Sequence, residues 1–312
     1  MELFIWIGVF LAALVALIKG ADWVLESAQK IGLALGMAPF LVGVVIVGFG
    51  TSTPELVSSL FGMWQGATEI PVANAVGSNV ANILLIIGLS AIFSRGALAV
   101  NKNLIDLEIP LLVLVTLFFY GVAYDGVVTI AESVFLLLGF VVYLLYSFFH
   151  RDGVEESIVT EKPKVSIKDI ALLLVGFVFL IAGAKYLIDA VLVVSEMVGI
   201  SVGIITILAV AVGTSLPELI VSIKAALAKQ GEISVGNIFG SNVFNILLVV
   251  GVSGLFGTQT LDAATMTYAL PMLLVATFVF IISGISKKIY VWEGAFYILI
   301  YALFVAKIFG WV

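Results

Sequence analysis

Long apolar stretches, each about the length of a membrane-spanning helix, fill most of the chain. A bilayer core about 30 Å thick takes roughly 20 apolar residues of helix, and about ten such stretches alternate with charged or turn residues. They are predicted at 3–19, 39–64, 71–94, 104–120, 126–149, 169–188, 201–228, 233–256, 266–283 and 290–309. The pattern therefore predicts an all-α, multi-pass membrane protein with about ten transmembrane helices.

Composition supports this class and excludes several others. Of the 312 residues, 62% are hydrophobic and 11% are charged, whereas ordinary globular proteins are about 45–50% apolar and about 25% charged. A net charge of −6 without a basic patch argues against nucleic acid as a partner. With no cysteine, and with His150 as the one histidine, thiolate metal sites and cysteine nucleophiles are excluded. We expect the bilayer as the surroundings, no cofactor, no enzyme activity and no protein partner.

The basic residues divide unequally between the two sides of the membrane. Cytoplasmic loops collect positive charge, and only Lys185 and Lys307 of the 14 basic residues fall on the opposite side. The others are Lys19, Lys30, Arg95, Lys102, Arg151, Lys162, Lys164, Lys168, Lys224, Lys229, Lys287 and Lys288. This bias predicts both termini outside and a cytoplasmic linker at 150–168 between the five-helix halves 1–149 and 169–312. Without a targeting signal, a plasma (inner) membrane location is expected.

The chain contains an internal repeat. Residues 20–90 align without a gap with residues 183–253, an offset of 163. The sequence Gly50-Thr51-Ser52-Thr53-Pro54-Glu55 matches Gly213-Thr214-Ser215-Leu216-Pro217-Glu218, and Gly77-Ser78-Asn79-Val80-Ala81-Asn82 matches Gly240-Ser241-Asn242-Val243-Phe244-Asn245. Since each half holds an odd number of spans, the sequence predicts two inverted five-helix repeats, an architecture typical of secondary transporters.

Glu55 and Glu218 occupy equivalent repeat positions in the middle of apolar stretches. A charged side chain there costs at least about 2.5–3.5 kcal/mol unless it finds a partner. A cation would supply that partner; a neutral, hydrogen-bonded carboxylic acid is the alternative for each residue.

Pro54 and Pro217 directly precede the two glutamates. Proline inside a helix removes an N–H donor and clashes with the carbonyl four residues back, which here belongs to Gly50 or Gly213. In lipid such freed carbonyls are tolerated only where protein, water or an ion satisfies them. A helix broken here would offer oxygen ligands at membrane depth, although a simple packing kink would also accommodate a proline.

Hydroxyl and amide side chains accompany the glutamates at a spacing of four residues, which places both members of each pair on one helix face. The pairs are Thr51 with Glu55, Ser78 with Asn82, Thr214 with Glu218, and Ser241 with Asn245. Taken singly, such residues commonly join membrane helices by hydrogen bonds. Taken together they form an all-oxygen donor set, which suits hard cations such as Ca²⁺, Na⁺ or Mg²⁺.

The two motifs G-T-S-x-P-E and G-S-N-x-x-N, each found twice, resemble the α-repeats of the Ca²⁺/cation antiporter superfamily, especially those of prokaryotic Na⁺/Ca²⁺ exchangers. The repeats would span about 39–94 and 201–256. The resemblance implies that the first and sixth spans slide across the others to alternate access. It also implies Ca²⁺ ligation by Glu55 and Glu218 with Thr51 and Thr214, completion of the central cluster by Asn82 and Asn245, and Na⁺ sites lined by Ser52, Ser78, Ser215, Ser241 and the carbonyls of Gly48 and Ala211.

One departure from the family pattern bears on the counter-ion. Some Na⁺/Ca²⁺ exchangers carry an aspartate where this chain has Asn245, and here both corresponding positions are amides. We expect an antiporter that exchanges Ca²⁺ for Na⁺ by alternating access. The alternatives are an H⁺/Ca²⁺ exchanger, an exchanger of another divalent such as Mg²⁺ and, less favoured, a passive cation channel.

Overall fold

A computed structural model of the chain describes residues 2–35, 48–94, 96–99, 108–149 and 164–312. Within these ranges the protein is helical apart from short two-stranded sheets. Three predicted segments fall wholly or partly outside the described residues: the start of the second span at 39–47, the start of the fourth at 104–107, and 150–163 of the linker.

The helices are, in chain order, α1 Glu2–Ala34, α2 Gly48–Thr51, α3 Thr53–Trp64, α4 Ile70–Phe93, α5 Ile109–Ala123, α6 Ile130–Phe149, α7 Ile167–Val198, α8 Val202–Thr214, α9 Leu216–Leu227, α10 Gly231–Gly254, α11 Thr265–Ile285 and α12 Val291–Ile308. In the described part of the chain, six of these are long and apolar enough to cross a membrane, and the bent pair α8 and α9 makes a seventh candidate span. Two shorter apolar helices, α5 and α6, accompany them. The predicted all-helical, multi-pass membrane class is confirmed.

Helix α1 extends well beyond the end predicted at residue 19. It runs to Ala34 because the charged residues after the apolar run stay on the helix surface, where Lys19 Nζ pairs with Asp22 Oδ2 at 3.1 Å. The extension also continues to pack, since the ring of Trp23 meets that of Phe179 edge-on at 5.1 Å. A lysine was therefore a wrong marker for the end of this helix.

Helix α7 is longer than predicted for the same reason. It continues past the predicted end at residue 188 to Val198, and Lys185 pairs with Asp189 one turn away at 2.8 Å. The helix ends only where Gly199 adopts a left-handed conformation, with φ of 67°, which glycine adopts without steric cost.

Helices α1 and α7 occupy equivalent positions in the two halves and pack along each other in antiparallel directions. Gly20 lies against the backbone of Leu180, Gly183 lies against the backbone of Leu17, and Lys30 pairs with Asp169 at 2.8 Å near one end. Small residues allow such close approach of membrane helices. The two helices form a pair with its own apolar cluster, separate from the main core.

Both helices that carry the repeated glutamates are interrupted directly before the prolines. Ser52 separates α2 from α3, and Ser215 separates α8 from α9, which meet at 47°. Proline then lies in the first turn of α3 and of α9, where its missing N–H donor costs no helical hydrogen bond. The predicted helix break is confirmed at both positions.

Helices α4 and α10 are largely buried and form the centre of the protein, and each contains a π-helical turn. The π turns cover Ala81–Ile87 and Asn245–Val249, and further π turns cover Thr206–Val210 in α8 and Thr265–Ala269 in α11. A π turn contains one extra residue and occurs often at functional sites. Here two of the turns hold Asn82 and Asn245.

Two short antiparallel sheets join loops from the two halves. Strand β1 (Ala97–Ala99) pairs with β4 (Lys288–Tyr290), and β2 (Val127–Val128) pairs with β3 (Gln259–Thr260). In each sheet one strand comes from each half of the chain.

Candidate functional site

Glu55 and Glu218 lie in the first turns of α3 and α9, directly after the helix breaks, and both are 1% exposed. Ser215 Oγ donates a hydrogen bond to Glu55 Oε1 at 3.2 Å, and Ser241 Oγ donates one to Glu218 Oε1 at 3.1 Å. The second oxygen of each carboxyl group, Oε2, is buried and has no partner in the described part of the chain.

The carboxyl groups also reach across between the two halves. Glu55 interacts with the side chain of Thr214, and Glu218 interacts with the side chain of Thr51. Ser215, at the break between α8 and α9, donates to Glu55 of the other half and so joins the two breaks directly. The breaks in the two repeats therefore face each other and bring both acidic groups to one buried place.

Several other predicted residues lie at the same breaks. Ser78 Oγ donates to the main-chain carbonyl of Ala211 at 3.3 Å, and Thr214 Oγ1 donates to that carbonyl at the same distance. Gly48 begins the short helix α2 in the other half, and Ser52, which is 3% exposed, precedes the first residue of α3.

Asn82 and Asn245 lie on α4 and α10, the central helices. Asn82 Nδ2 donates to Asn242 Oδ1 at 3.0 Å, and Asn245 Nδ2 donates to Asn79 Oδ1 at 3.1 Å. All four side chains are buried, and the Oδ1 atoms of Asn82 and Asn245 have no partner among the residues described.

Five of the twelve predicted site residues share one property, which is a buried oxygen without a hydrogen-bond partner in the described ranges. These atoms are Ser52 Oγ, Glu55 Oε2, Asn82 Oδ1, Glu218 Oε2 and Asn245 Oδ1. An unsatisfied buried polar group costs about 1–3 kcal/mol, and more when it is charged. A hard cation held among these oxygens would remove that cost, so the donor set fits Ca²⁺ or Na⁺.

Sequence reasoning missed two residues that hold the acidic helices in place. Asn74 Nδ2 donates to the main-chain carbonyl of Glu55 at 3.2 Å, and Asn237 Nδ2 donates to that of Glu218 at 3.5 Å. Each amide also donates to a serine on the helix that carries the glutamate, which is Ser59 for Asn74 and Ser222 for Asn237. The offset of 163 relates Asn74 to Asn237, so the repeat itself was a signal that could have identified them.

The predicted cation ligands are all oxygen atoms, and only the two carboxyl groups among them can carry a charge. Across the described residues, no group of three or more His, Cys, Asp or Glu side chains comes together. The site has two carboxyl groups surrounded by hydroxyl, amide and carbonyl oxygens at broken helices. Such a site, inside an all-helical multi-pass membrane protein, defines the class of secondary ion transporters.

Comparison with known proteins identifies the family within this class. A family model described as sodium/calcium exchanger protein matches residues 5–149 and 168–310. The chain belongs to this family. CaxA of Alkalimonas amylolytica, named as an antiporter, is 36% identical over 81% of this chain and 82% of the relative. The sodium/calcium exchanger MaX1 of Methanosarcina acetivorans is 29% identical over 96% of this chain and 97% of its own.

The fold agrees with that of a solved member. The sodium-calcium exchanger NCX_Mj, soaked with 10 mM Na⁺ and zero Ca²⁺, superimposes with a TM-score of 0.68 at 29% identity and covers 98% of this chain and 99% of its own. The protein is therefore a multi-pass membrane protein of an exchanger family with a cation antiporter fold.

Proposed function

We propose that this protein exchanges Ca²⁺ for Na⁺ across the membrane by alternating access, with both ions competing for one oxygen cluster around Glu55 and Glu218. The observation that carries the proposal is the set of five buried, unpartnered oxygens on residues from both repeats. Groups of this kind are costly unless a ligand satisfies them. Membership of the exchanger family supports Ca²⁺ and Na⁺ as those ligands.

The charge of the site favours this exchange. Two ionised carboxylates balance one Ca²⁺, while an empty site leaves two like charges in a region of low dielectric constant. We infer that the binding site of the empty protein switches slowly from access on one side of the membrane to access on the other. The same transition is fast when an ion is bound. This difference couples the two ion fluxes, which a passive channel would not do.

Each predicted site residue has a place in the proposal. Glu55 and Glu218 bind Ca²⁺ together with the other members of the central cluster, which are Thr51, Thr214, Asn82 and Asn245. The flanking Na⁺ positions are formed by Ser52, Ser78, Ser215, Ser241 and the carbonyls of Gly48 and Ala211. The hydrogen bonds of Ser215 and Ser241 to the two carboxyl groups support a shared cluster in which the ions compete.

We also propose the full architecture of ten transmembrane helices in two inverted five-helix repeats, with halves 1–149 and 169–312, both termini outside, in the plasma membrane. The antiparallel course of the repeat-equivalent helices α1 and α7 supports the inversion. So does the reciprocal reach of Glu55 to Thr214 and of Glu218 to Thr51.

The test is ⁴⁵Ca²⁺ uptake into proteoliposomes loaded with Na⁺ or with K⁺, each with and without an imposed pH gradient. Uptake that requires internal Na⁺ is the expected result. Uptake that follows the pH gradient without Na⁺ would identify an H⁺/Ca²⁺ exchanger, and the amide at Asn245 makes this the second candidate, since an aspartate there would add a fixed charge. If Ca²⁺ is not taken up under any of these gradients, the search would turn to Mg²⁺ and other divalents.

A further inference from the structure

Four asparagines, Asn79, Asn82, Asn242 and Asn245, form a buried hydrogen-bonded cluster where α4 and α10 meet. An amide side chain carries an oxygen on one branch and an NH₂ group on the other, in nearly the same shape. Only the oxygen can bind a cation. The direction in which each amide points therefore decides whether it attracts or repels an ion.

The direction of Asn79 is fixed by the backbone. Its Nδ2 donates to the main-chain carbonyl of Asn242 at 3.0 Å, and a carbonyl oxygen can only accept. The Oδ1 of Asn79 is thereby left to accept the hydrogen bond from Asn245 Nδ2 at 3.1 Å. With its NH₂ group held in this way, Asn245 has its oxygen on the other branch, buried and without a partner in the described ranges.

The hydrogen bond between the two amides recurs in the other half, although Asn242 Nδ2 itself is buried without a partner in the described ranges. Asn82 Nδ2 donates to Asn242 Oδ1 at 3.0 Å, and its own oxygen is the unpartnered atom. With the repeat offset of 163, Asn82 corresponds to Asn245 and Asn79 corresponds to Asn242. The hydrogen bond between Asn82 and Asn242 is therefore the repeat equivalent of the one between Asn245 and Asn79. Two equivalent hydrogen bonds built by equivalent residues indicate that this contact between amides belongs to the repeat unit, whereas the bond to a backbone carbonyl is made by Asn79.

We propose that Asn79 and Asn242 are positioning residues that hold the amides of Asn245 and Asn82 with their oxygens toward the cation cluster. This inference rests on the proposed function. If Asn79 lost its oxygen, Asn245 could turn its NH₂ group toward the ion and replace a ligand by a repelling dipole. Groups that orient metal ligands through hydrogen bonds typically contribute about 10–100-fold in metal affinity.

A double-mutant cycle tests the orienting role. Asn79→Leu removes the hydrogen-bonding groups and keeps the branched shape of the side chain, so ⁴⁵Ca²⁺ binding to the purified protein is expected to weaken by about 10–100-fold. In an Asn245→Asp background the ligand has two equivalent oxygens and needs no orientation. There Asn79→Leu is expected to weaken Ca²⁺ binding by less than about 3-fold, so the two substitutions are strongly coupled.

Asn74→Leu is the matched control, because Asn74 is a fully buried amide on the same helix whose hydrogen bonds go to α3 and not to Asn245. Its effect on Ca²⁺ binding should be the same in both backgrounds. If Asn79→Leu behaves like this control, with equal losses in both backgrounds, Asn79 has only a structural role and the inference is wrong.

The second half of the cluster supplies an independent cycle in case Asn79→Leu fails to fold. Asn242→Leu should weaken Ca²⁺ binding in the native background and have little effect beside Asn82→Asp. Failure of the proposed Ca²⁺ site is distinguishable, since the native protein would then show no saturable ⁴⁵Ca²⁺ binding, and the uptake assay under Na⁺ and pH gradients tests the counter-ion separately. Saturable native binding with additive losses in both cycles would overturn the positioning role alone.

Discussion

At the scale of single residues, the acidic pair offers the sharpest test of the proposed site. Glu55→Gln and Glu218→Gln keep the shape of each side chain and remove one of two charges. Because even indirect partners of metal ligands contribute about 10–100-fold, each substitution should lower Ca²⁺ transport by more than about 100-fold. Initial ⁴⁵Ca²⁺ uptake into proteoliposomes, normalised to inserted protein, measures this loss.

The control for these variants is Glu232→Gln, because Glu232 is an exposed glutamate in the first turn of α10. It should transport normally. Normal transport by either Glu55→Gln or Glu218→Gln would contradict the assignment of the site.

The serines test whether sodium has positions of its own. Ser78→Ala and Ser241→Ala each remove one oxygen, and a hydrogen-bonding group of this kind is worth about 0.5–1.5 kcal/mol. The Na⁺ concentration for half-maximal exchange should rise by about 3–10-fold, while the half-saturating Ca²⁺ concentration changes less. Parallel titrations of Na⁺ and Ca²⁺ in the same vesicles decide the matter, and equal losses for both ions would argue against separate sodium positions.

Residue types and the repeat predicted which side chains lie at the breaks, but not how they are oriented. Glu55 with Ser215, and Glu218 with Ser241, are joined by hydrogen bonds, and all four residues belong to the repeated motifs. The direction of an amide depends on partners far away in sequence, such as the carbonyl of Asn242 that accepts from Asn79. No pattern within one helix carries that information.

At the scale of helices, apolar length predicted the long apolar helices that the structure describes, while charge misplaced two of their ends. Proline correctly marked the breaks before α3 and α9 because its effect on a helix is local. Lys19 did not end α1, since its partner Asp22 lies one turn further on the same helix. A helix end depends on tertiary packing as well as on charge. Trp23, in the part of α1 beyond residue 19, contacts Phe179 of α7, and the sequence of α1 alone does not predict this contact.

The close packing of α1 on α7 gives a prediction at this scale. A methyl group added at Gly183 would lie 2.5 Å from the backbone nitrogen of Leu17, so Gly183→Ala must push the helices apart. Overpacking of this kind costs about 1–3 kcal/mol. We expect a lower melting temperature and slower exchange with unchanged Ca²⁺ affinity, since the cluster lies on other helices.

Gly8→Ala is the matched control, because a methyl group at Gly8 on α1 would meet no atom within 4 Å. Its melting temperature and exchange rate should equal those of the native protein. If Gly183→Ala also matched the native protein in both measurements, the close contact would be of no consequence for the pair.

At the scale of the whole molecule, contacts between distant loops agree with the sidedness that the basic residues predict. The sheet of β1 with β4 joins two loops on the predicted cytoplasmic side, and the sheet of β2 with β3 joins two on the predicted outer side. Gln65 donates to Asp189 at 2.9 Å, and both residues belong to predicted outer loops. The tertiary contacts thus group these loops as the positive-inside bias does, and which group faces the cytoplasm stays a prediction.

The absence of cysteine from the chain makes that topology directly testable. Single cysteines at three exposed positions, Tyr124→Cys, Gln230→Cys and Val312→Cys, leave the cluster untouched. In intact cells a membrane-impermeant maleimide should label the variants at 124 and 312, which lie in the predicted outer loop after α5 and at the C-terminus. The variant at 230, between α9 and α10, should react only after the membrane is permeabilised, and the native chain should never react. Labelling of 230 in intact cells with protection of the other two would reverse the orientation, while labelling of 124 without 312 would contradict a final span that ends outside.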